Sequence, residues 1–327
     1  MTKDTLTFKY RFRKGKRTTP FRAAVAEITP DSFTLGGEEL PYASIIDTTT
    51  RDKNLIIQLA NGTGLGEKTS SGQASPGVIV LAIAKGTALD IEKTIDRHSS
   101  RARAKAHQRQ LELAGKAEEY RAKVCPHCQA TVDLSGLDST RNIYCRYCES
   151  VFTGHDQIVT NGDDHRHCDE CNMFDRVRGF TEFYFYFLLI IYGFSSNRRF
   201  LCDDCALKMT RKMFFINFIF VLGLFPTIYN RIKIASGKKE ELKKLAQANN
   251  LAKKGKFTEA SEIYEQISGT FENHPGILQN QAIAAAITTE EAQMGTYLMR
   301  ALKSCSNYGP TMNTMRQIQQ AANKAQM

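Results

Sequence analysis

Tryptophan is absent from this 327-residue chain, which removes one common aromatic anchor of membrane interfaces and leaves that role to Tyr and Phe. An apolar leader is missing as well: the opening MTKDTLTFKYRFRK holds no hydrophobic run, so no signal peptide is expected. There is no Gly-rich phosphate loop, and no Ser/His/Asp or paired-carboxylate set stands out by spacing. An enzyme is therefore the least favoured class. Acidic residues are in deficit, with 44 Lys and Arg against 34 Asp and Glu for a formal net charge of +10. That balance favours acidic partners, either anionic lipid headgroups or nucleic acid. The rest of the composition, 42% hydrophobic and 24% charged, is ordinary for a globular chain of two or three domains.

What is present begins with strands. Residues 5–12, 22–28, 32–35, 45–50, 54–59 and 78–84 carry β-formers separated by turn residues such as Thr29-Pro30-Asp31 and Gly36-Gly37. A Gly- and Ser-rich loop, NGTGLGEKTSSGQASPG, separates the last two. From Thr87 to Lys123 there is no Pro and one Gly, and Leu89, Ile91 and Ile95 mark an apolar face, so one long helix is expected. The segment ITPDSFTLGGEELPYASIIDTTTRDKNLIIQL, followed by a single helix, resembles a pleckstrin-homology-like barrel over residues 1–123; another six-stranded barrel is the competitor. The resemblance implies a closing helix and an anion or lipid site on the first two strands. That site would comprise Lys9, Arg11, Arg13, Lys14, Lys16, Arg17 and Arg22. The bland alternative is a solvated charged loop.

Eight of the nine cysteines form four Cys-x-x-Cys pairs, and Cys305 stands apart. Cys125, Cys128, Cys145 and Cys148 lie in CPHCQATVDLSGLDSTRNIYCRYCESVF, with sixteen residues between the pairs. Each knuckle offers two thiolates from a tight turn and the intervening hairpin brings the pairs together, as tetrahedral Zn2+ requires. This segment, 124–154, resembles a zinc ribbon. Cys125-Pro-His-Cys128 alone also resembles a thioredoxin-like redox site, but no βαβ frame surrounds it. Cys168, Cys171, Cys202 and Cys205 form a second set over 165–210, with thirty residues between pairs. His165 and His167 could substitute as ligands, although solvated His is the plainer reading. Two zinc ions are expected in all.

Two charge-free runs follow from this layout. FYFYFLLIIYGF, residues 183–194, would make only about 18 Å of helix against a hydrocarbon core of about 30 Å. Its aromatic and β-branched content favours a strand over 183–192, returning at 198–201. MFFINFIFVLGLFPTIY, residues 213–229, is flanked by Arg211/Lys212 and Arg231/Lys233. The order CDDCALKMTRKMFFINFIFVLGLFPTIY resembles bacterial membrane proteins of unassigned role in which a knuckle runs into a membrane helix. A membrane helix over 211–232 is the reading taken, and a buried helix packed on the aromatic strand is the alternative.

The segment 238–327 reads as helices. Ala248, Leu251, Gly255, Phe257, Ala260, Tyr264 and Ile267 fall at the offsets of a tetratricopeptide repeat, and Ala282, Ala285, Met294, Leu298 and Ala301 repeat the register. The resemblance implies a protein-docking groove; a plain helical bundle is the alternative. The chain is thus expected to be an α+β multidomain protein. The expected function is a membrane-associated zinc scaffold, its zinc sites facing the cytoplasm, that recruits protein or anionic-lipid partners. A soluble nucleic-acid-binding zinc-ribbon protein is the rival.

Overall fold

The computed structural model describes residues 5–14, 17–18, 23–51, 53–63, 66, 69, 72–85, 87–188, 191–217, 224–235, 240–268, 271, 273–288 and 291–325. The chain divides into two compact units, Met1–Gly136 and Leu137–Met327.

The first unit is an antiparallel sheet with one long helix. Its strands are β1 (Leu6–Lys14), β2 (Arg17–Thr18), β3 (Ala24–Ile28), β4 (Phe33–Leu35), β5 (Glu38–Glu39), β6 (Ile45–Arg51), β7 (Asn54–Leu59) and β8 (Val78–Lys85). They lie in the order β5-β4-β3-β1-β8-β7-β6, with β2 paired to β1. Strand positions follow the alternation in the sequence. Phe8 and Tyr10 of β1 are buried while Lys9 and Arg11 between them are exposed, as a pleated strand with one wet face dictates.

The expected barrel does not form. The sheet is open: β5 and β6 are its edges, and no pairing joins them among the described residues. Strand β5 has only two residues, Glu38 and Glu39, too few to carry a closing ladder. Helix α1 (Ala88–Leu113) buries Ile91 and Ile95 in the same core as Phe33, Leu55 and Leu81. It packs on β6, β7 and the single turn Tyr42–Ser44, so it lies on the sheet and does not plug a barrel end. The helix also stops ten residues short of the expected end. At Gly115 (φ +72°) the chain turns left-handed, and the Lys116 N–H donates to Leu111 O at 2.8 Å, which is a Schellman stop. The chain then forms strands β9 (Ala122–Val124) and β10 (Thr131–Asp133). His107 holds Asp133 at 2.6 Å, and the Thr131 N–H donates to Ser100 Oγ at 2.9 Å, so α1 supports this small hairpin.

The second unit begins with β11 (Asn142–Tyr144), β12 (Val151–Thr153) and β13 (Ile158–Thr160), one small antiparallel sheet. Strands β14 (His165–His167), β15 (Phe174–Leu188) and β16 (Ile191–Cys202) form another. The aromatic run is indeed a strand, but its limits differ from those expected. β15 and β16 pair without a break from Val177↔Cys202 to Leu188↔Ile191. Ile191 and Tyr192 therefore lie on the return strand, and the turn between Leu188 and Ile191 lies outside the described residues. A charge-free run that continues through a hairpin turn hides the turn from a reading by composition.

The second apolar run is not one membrane helix. It is divided between α2 (Asp203–Asn217) and α3 (Leu224–Ala235), with 218–223 outside the described residues. Among the described residues no helix is long and apolar enough to cross a membrane. Both helices pack on β15, where Val177, Phe180, Leu201, Ala206, Met209 and Met213 make a buried cluster.

Helices α4 (Glu240–Lys253), α5 (Phe257–Ser268), α6 (Pro275–Ile287), α7 (Glu291–Ser304) and α8 (Gly309–Ala325) complete the unit. α4 pairs with α5 and α6 with α7. Gly255, placed by the sequence at an offset of a tetratricopeptide repeat, is a helix stop. At φ +75° it ends α4 with the same left-handed stop as Gly115, and no atom lies within 4 Å of where its Cβ would be.

Candidate metal centres

Three of the four Cys-x-x-Cys turns share one backbone design. In the first, the Gln129 N–H donates to Cys125 O at 2.9 Å and the Cys125 N–H donates to Ala130 O at 2.9 Å. Glu149, Cys145 and Ser150 repeat this pattern at 2.7 and 2.9 Å, and Asn172, Cys168 and Met173 repeat it at 2.9 and 3.0 Å. In each turn the residue after the second cysteine is left-handed: Gln129 (φ 64°), Glu149 (φ 58°) and Asn172 (φ 54°). Such a conformation is uncommon for a residue with a side chain, and here it is held by the paired hydrogen bonds that aim two thiols into one space. The fourth turn is different. Cys202 ends β16 and Cys205 sits in the first turn of α2, where the positive end of the helix favours a thiolate.

The sulfurs converge as expected. Cys125, Cys128, Cys145 and Cys148 form one set and Cys168, Cys171, Cys202 and Cys205 the other, with ligand atoms within 4.8 Å of one another in each. None of these cysteines is in a disulfide. A tetrahedral ion with metal–sulfur bonds of about 2.3 Å needs sulfurs about 3.8 Å apart. Cys171 Sγ and Cys202 Sγ lie 3.9 Å apart, and the Cys202 N–H donates to Cys168 Sγ at 3.4 Å. The donor sets therefore fit two zinc ions. Hydrogen bonds from Cys171, Cys202 and Cys205 hold the Cys168 thiol far below its ordinary pKa, and the same crowding pushes Cys202 and Cys205 up. Deprotonation of all four thiols at such spacing would require a cation at their centre.

Around the second site lies a polar shell that sequence reasoning missed. The Phe174 N–H donates to Asn280 Oδ1 at 2.7 Å, and Asn280 Nδ2 donates back to Phe174 O at 2.7 Å and to Asn249 Oδ1 at 2.8 Å. Asn249 Nδ2 donates to Phe174 O at 3.0 Å and to Asp175 Oδ2 at 2.9 Å, and Tyr264 donates its hydroxyl to Asn249 Oδ1 at 2.7 Å. Asn249 and Asn280 have no exposed surface, so α4 and α6 grip the strand just beyond the knuckle through side-chain amides. Burial pushes the Asp175 carboxyl up to about 7 against the pull of Asn249. Lys253 lies 3.9 Å from Cys202 Sγ and pairs with Asp204 at 2.8 Å. Burial works against its charge, but Cys202 and Asp204 prevail and raise its pKa. The cation offsets part of the charge of four thiolates.

The first site has a similar grip. The Tyr144 N–H donates to Asn307 Oδ1 at 2.9 Å, and Asn307 Nδ2 donates to Tyr144 O at 2.8 Å. His167 is neither a ligand nor a solvated side chain. Its Nδ1 donates to Asn172 O at 2.7 Å, and its Nε2 accepts from the Tyr308 hydroxyl at 2.7 Å. Burial pushes its imidazole down to about 4, consistent with that neutral tautomer. His165 stacks on Phe174. A buried Asn inside a helix opposes helix propensity, but the burial of Asn249 and Asn280 is shown only by the fold.

Of the expected anion-site residues, Lys9, Arg11, Arg13 and Lys14 fall on β1 and Arg17 on β2. Lys9, Arg11 and Arg13 alternate along the face of β1 opposite Phe8 and Tyr10, and Arg13 Nη1 donates to Asn54 Oδ1 at 3.1 Å. Lys14 ends β1 and Arg17 begins β2; Lys16 and Arg22 lie outside the described residues. No protein-family model, no curated protein and no solved structure matches this chain.

Proposed function

We propose that this chain is a zinc-organised adaptor that binds peripherally to anionic membrane surfaces and presents its C-terminal helices to protein partners. The observation that carries the membrane part is α3, which is inside out. Phe225, Ile228, Tyr229 and Ile232 recur at i, i+3, i+4 and i+7 and are 67%, 54%, 67% and 63% exposed. The polar residues Thr227 and Asn230 between them are 3% and 1% exposed, and Asn230 Nδ2 donates to Thr181 O at 3.0 Å. An amphipathic helix on a water-soluble surface places these two classes the other way round. The last turn of α2 adds Phe214, Phe215 and Ile216, all exposed. Exposed Arg211, Lys212 and Arg231 border the apolar surface, complementary to anionic headgroups.

The twelve residues of α3 span about 18 Å, so the helix suits the interfacial plane and not a crossing. In this reading the zinc sites face the cytoplasm. Partner recruitment draws support from α8, whose residues 317–324 are all exposed. The test is flotation of the zinc-loaded protein with vesicles. Wild type should rise with vesicles containing anionic lipid and less with zwitterionic ones. Recovery at the bottom of the gradient with both would refute the proposal.

One observation favours the rival reading. Arg101, Lys105 and Arg109 are exposed at i, i+4 and i+8 on α1, where like charges repel. Their spacing of about 6 Å suits a phosphate backbone, and binding of a single-stranded oligonucleotide that weakens steeply with salt would favour it.

A further inference from the structure

The second knuckle of the first metal site and the first knuckle of the second site rest on common supports. One is the turn 305–308 ahead of α8. There Asn307 grips both backbone groups of Tyr144, the residue before Cys145. Its neighbour Tyr308 sets its ring edge against Tyr144, with centroids 5.0 Å apart, and donates its hydroxyl to His167, the residue before Cys168. Tyr308 is 1% exposed, so this turn is a packed joint. The other support is the link from β13 to β14. Gly162 in that link lies so close to the Cys148 knuckle that a Cβ would fall 1.7 Å from Cys148 O, and its N–H donates to Ser150 Oγ at 3.0 Å. Four residues on, Arg166 pairs with Glu149, the left-handed residue that closes the same knuckle.

We propose that Tyr308, with Arg166, positions both knuckles and couples the two metal sites, so that filling either raises the affinity of the other. The physical reason is the size of the parts. β11, β12 and β13 have only three residues each, the short end of the range for strands, so this small sheet depends on outside supports to hold its shape. When the metal leaves the first site, Tyr144 and Glu149 are no longer fixed. Tyr308 then loses the ring surface that holds it against His167, and Arg166 of β14 loses its fixed partner Glu149. The Cys168–Cys171 turn must then be ordered at the expense of metal binding. Binding linkage makes the effect reciprocal, and a factor of about ten lies within the usual range for such coupling.

The experiment measures metal affinity by competition with a chromophoric chelator in the full chain, with cadmium-113 NMR to assign each site. Removing the first site with Cys125→Ser/Cys128→Ser should weaken the second about tenfold, and Cys202→Ser/Cys205→Ser should weaken the first by the same factor. Tyr308→Phe keeps the ring but loses the bond to His167, and combined with Arg166→Gln it should bring both factors toward one. An intact site whose affinity changes less than about twofold, or two unequal factors, would overturn the coupling. If a double Cys variant does not fold, the wild type and Tyr308→Phe/Arg166→Gln are compared at one equivalent of zinc by native mass spectrometry. The singly loaded fraction should rise in the variant, and an unchanged fraction overturns the proposal.

Discussion

Asn280→Ala is the sharpest test of how the helices are attached to the second metal site. Asn280 is fully buried and makes three hydrogen bonds of 2.7, 2.7 and 2.8 Å. Truncation does not leave three orphans. Phe174 O keeps Asn249 Nδ2, and Asn249 Oδ1 keeps the Tyr264 hydroxyl. Only the Phe174 N–H is stranded, beside a side chain that is 1% exposed. A stranded buried donor costs about 1–3 kcal/mol, and each net hydrogen bond lost costs about 1 kcal/mol. With one stranded donor and two further bonds lost, the expected loss is therefore about 3–5 kcal/mol, a large part of the stability of an ordinary domain. Asn307→Ala removes the matching amide from Tyr144, but Asn307 is only partly buried. Water can reach the vacated groups, and about 1–2 kcal/mol is expected there. Urea unfolding at fixed free zinc measures both. The reasoning fails if Asn280→Ala costs under about 1 kcal/mol, or if Asn307→Ala costs as much.

Further outcomes follow from the same geometry. Elemental analysis should find two zinc ions per chain, Cys125→Ser should retain about one, and a redox-active disulfide between Cys125 and Cys128 would contradict the assignment. Phe225→Asp/Ile232→Asp should abolish flotation with anionic vesicles while leaving zinc content unchanged, because both side chains point away from the core; undiminished flotation would place the membrane contact elsewhere. His274 is 1% exposed and burial pushes its imidazole down to about 3. Because the unfolded chain takes up this proton at about 6.5, the stability from His274 is present above that pH and lost as pH falls toward 3. Between pH 7.5 and 5.5 the loss is about 1.4 kcal/mol, and His274→Asn should remove it from the pH dependence of urea unfolding.

Period-two alternation made the strands of the first unit legible, because Phe8 and Tyr10 face the core and Lys9 and Arg11 do not. Closure of the sheet was not legible, since it depends on whether distant edges pair, and β5 offers only Glu38 and Glu39 for that purpose. The two four-cysteine clusters were readable because the geometry a metal demands restricts cysteine spacing. The turn between β15 and β16 was hidden because the segment on both sides of it is apolar, so composition does not change where the chain reverses. The run 213–229 was misread for a related reason. Length and hydropathy average around a helix, whereas in α3 the outward and inward faces differ, Ile228 and Tyr229 against Thr227 and Asn230. Asn249, Asn280 and Asn307 were invisible as supports, since a lone Asn carries no period.

The amide grips explain how the metal sites and the C-terminal helices depend on one another. A backbone strand ordinarily satisfies its N–H and C=O groups against another strand. Phe174 pairs on one side with His167 of β14 and on the other meets Asn280 and Asn249, so two helices stand in for a neighbouring strand. Such a substitution works only if the strand is already fixed to within a few tenths of an ångström, because an amide fork fits a single geometry. Phe174 lies three residues after Cys171, beyond a left-handed turn. The knuckle sets its position, and the four sulfurs set the knuckle. A metal held by those sulfurs would therefore act at a distance: by fixing one turn it would permit polar groups of α4 and α6 to be buried without being stranded.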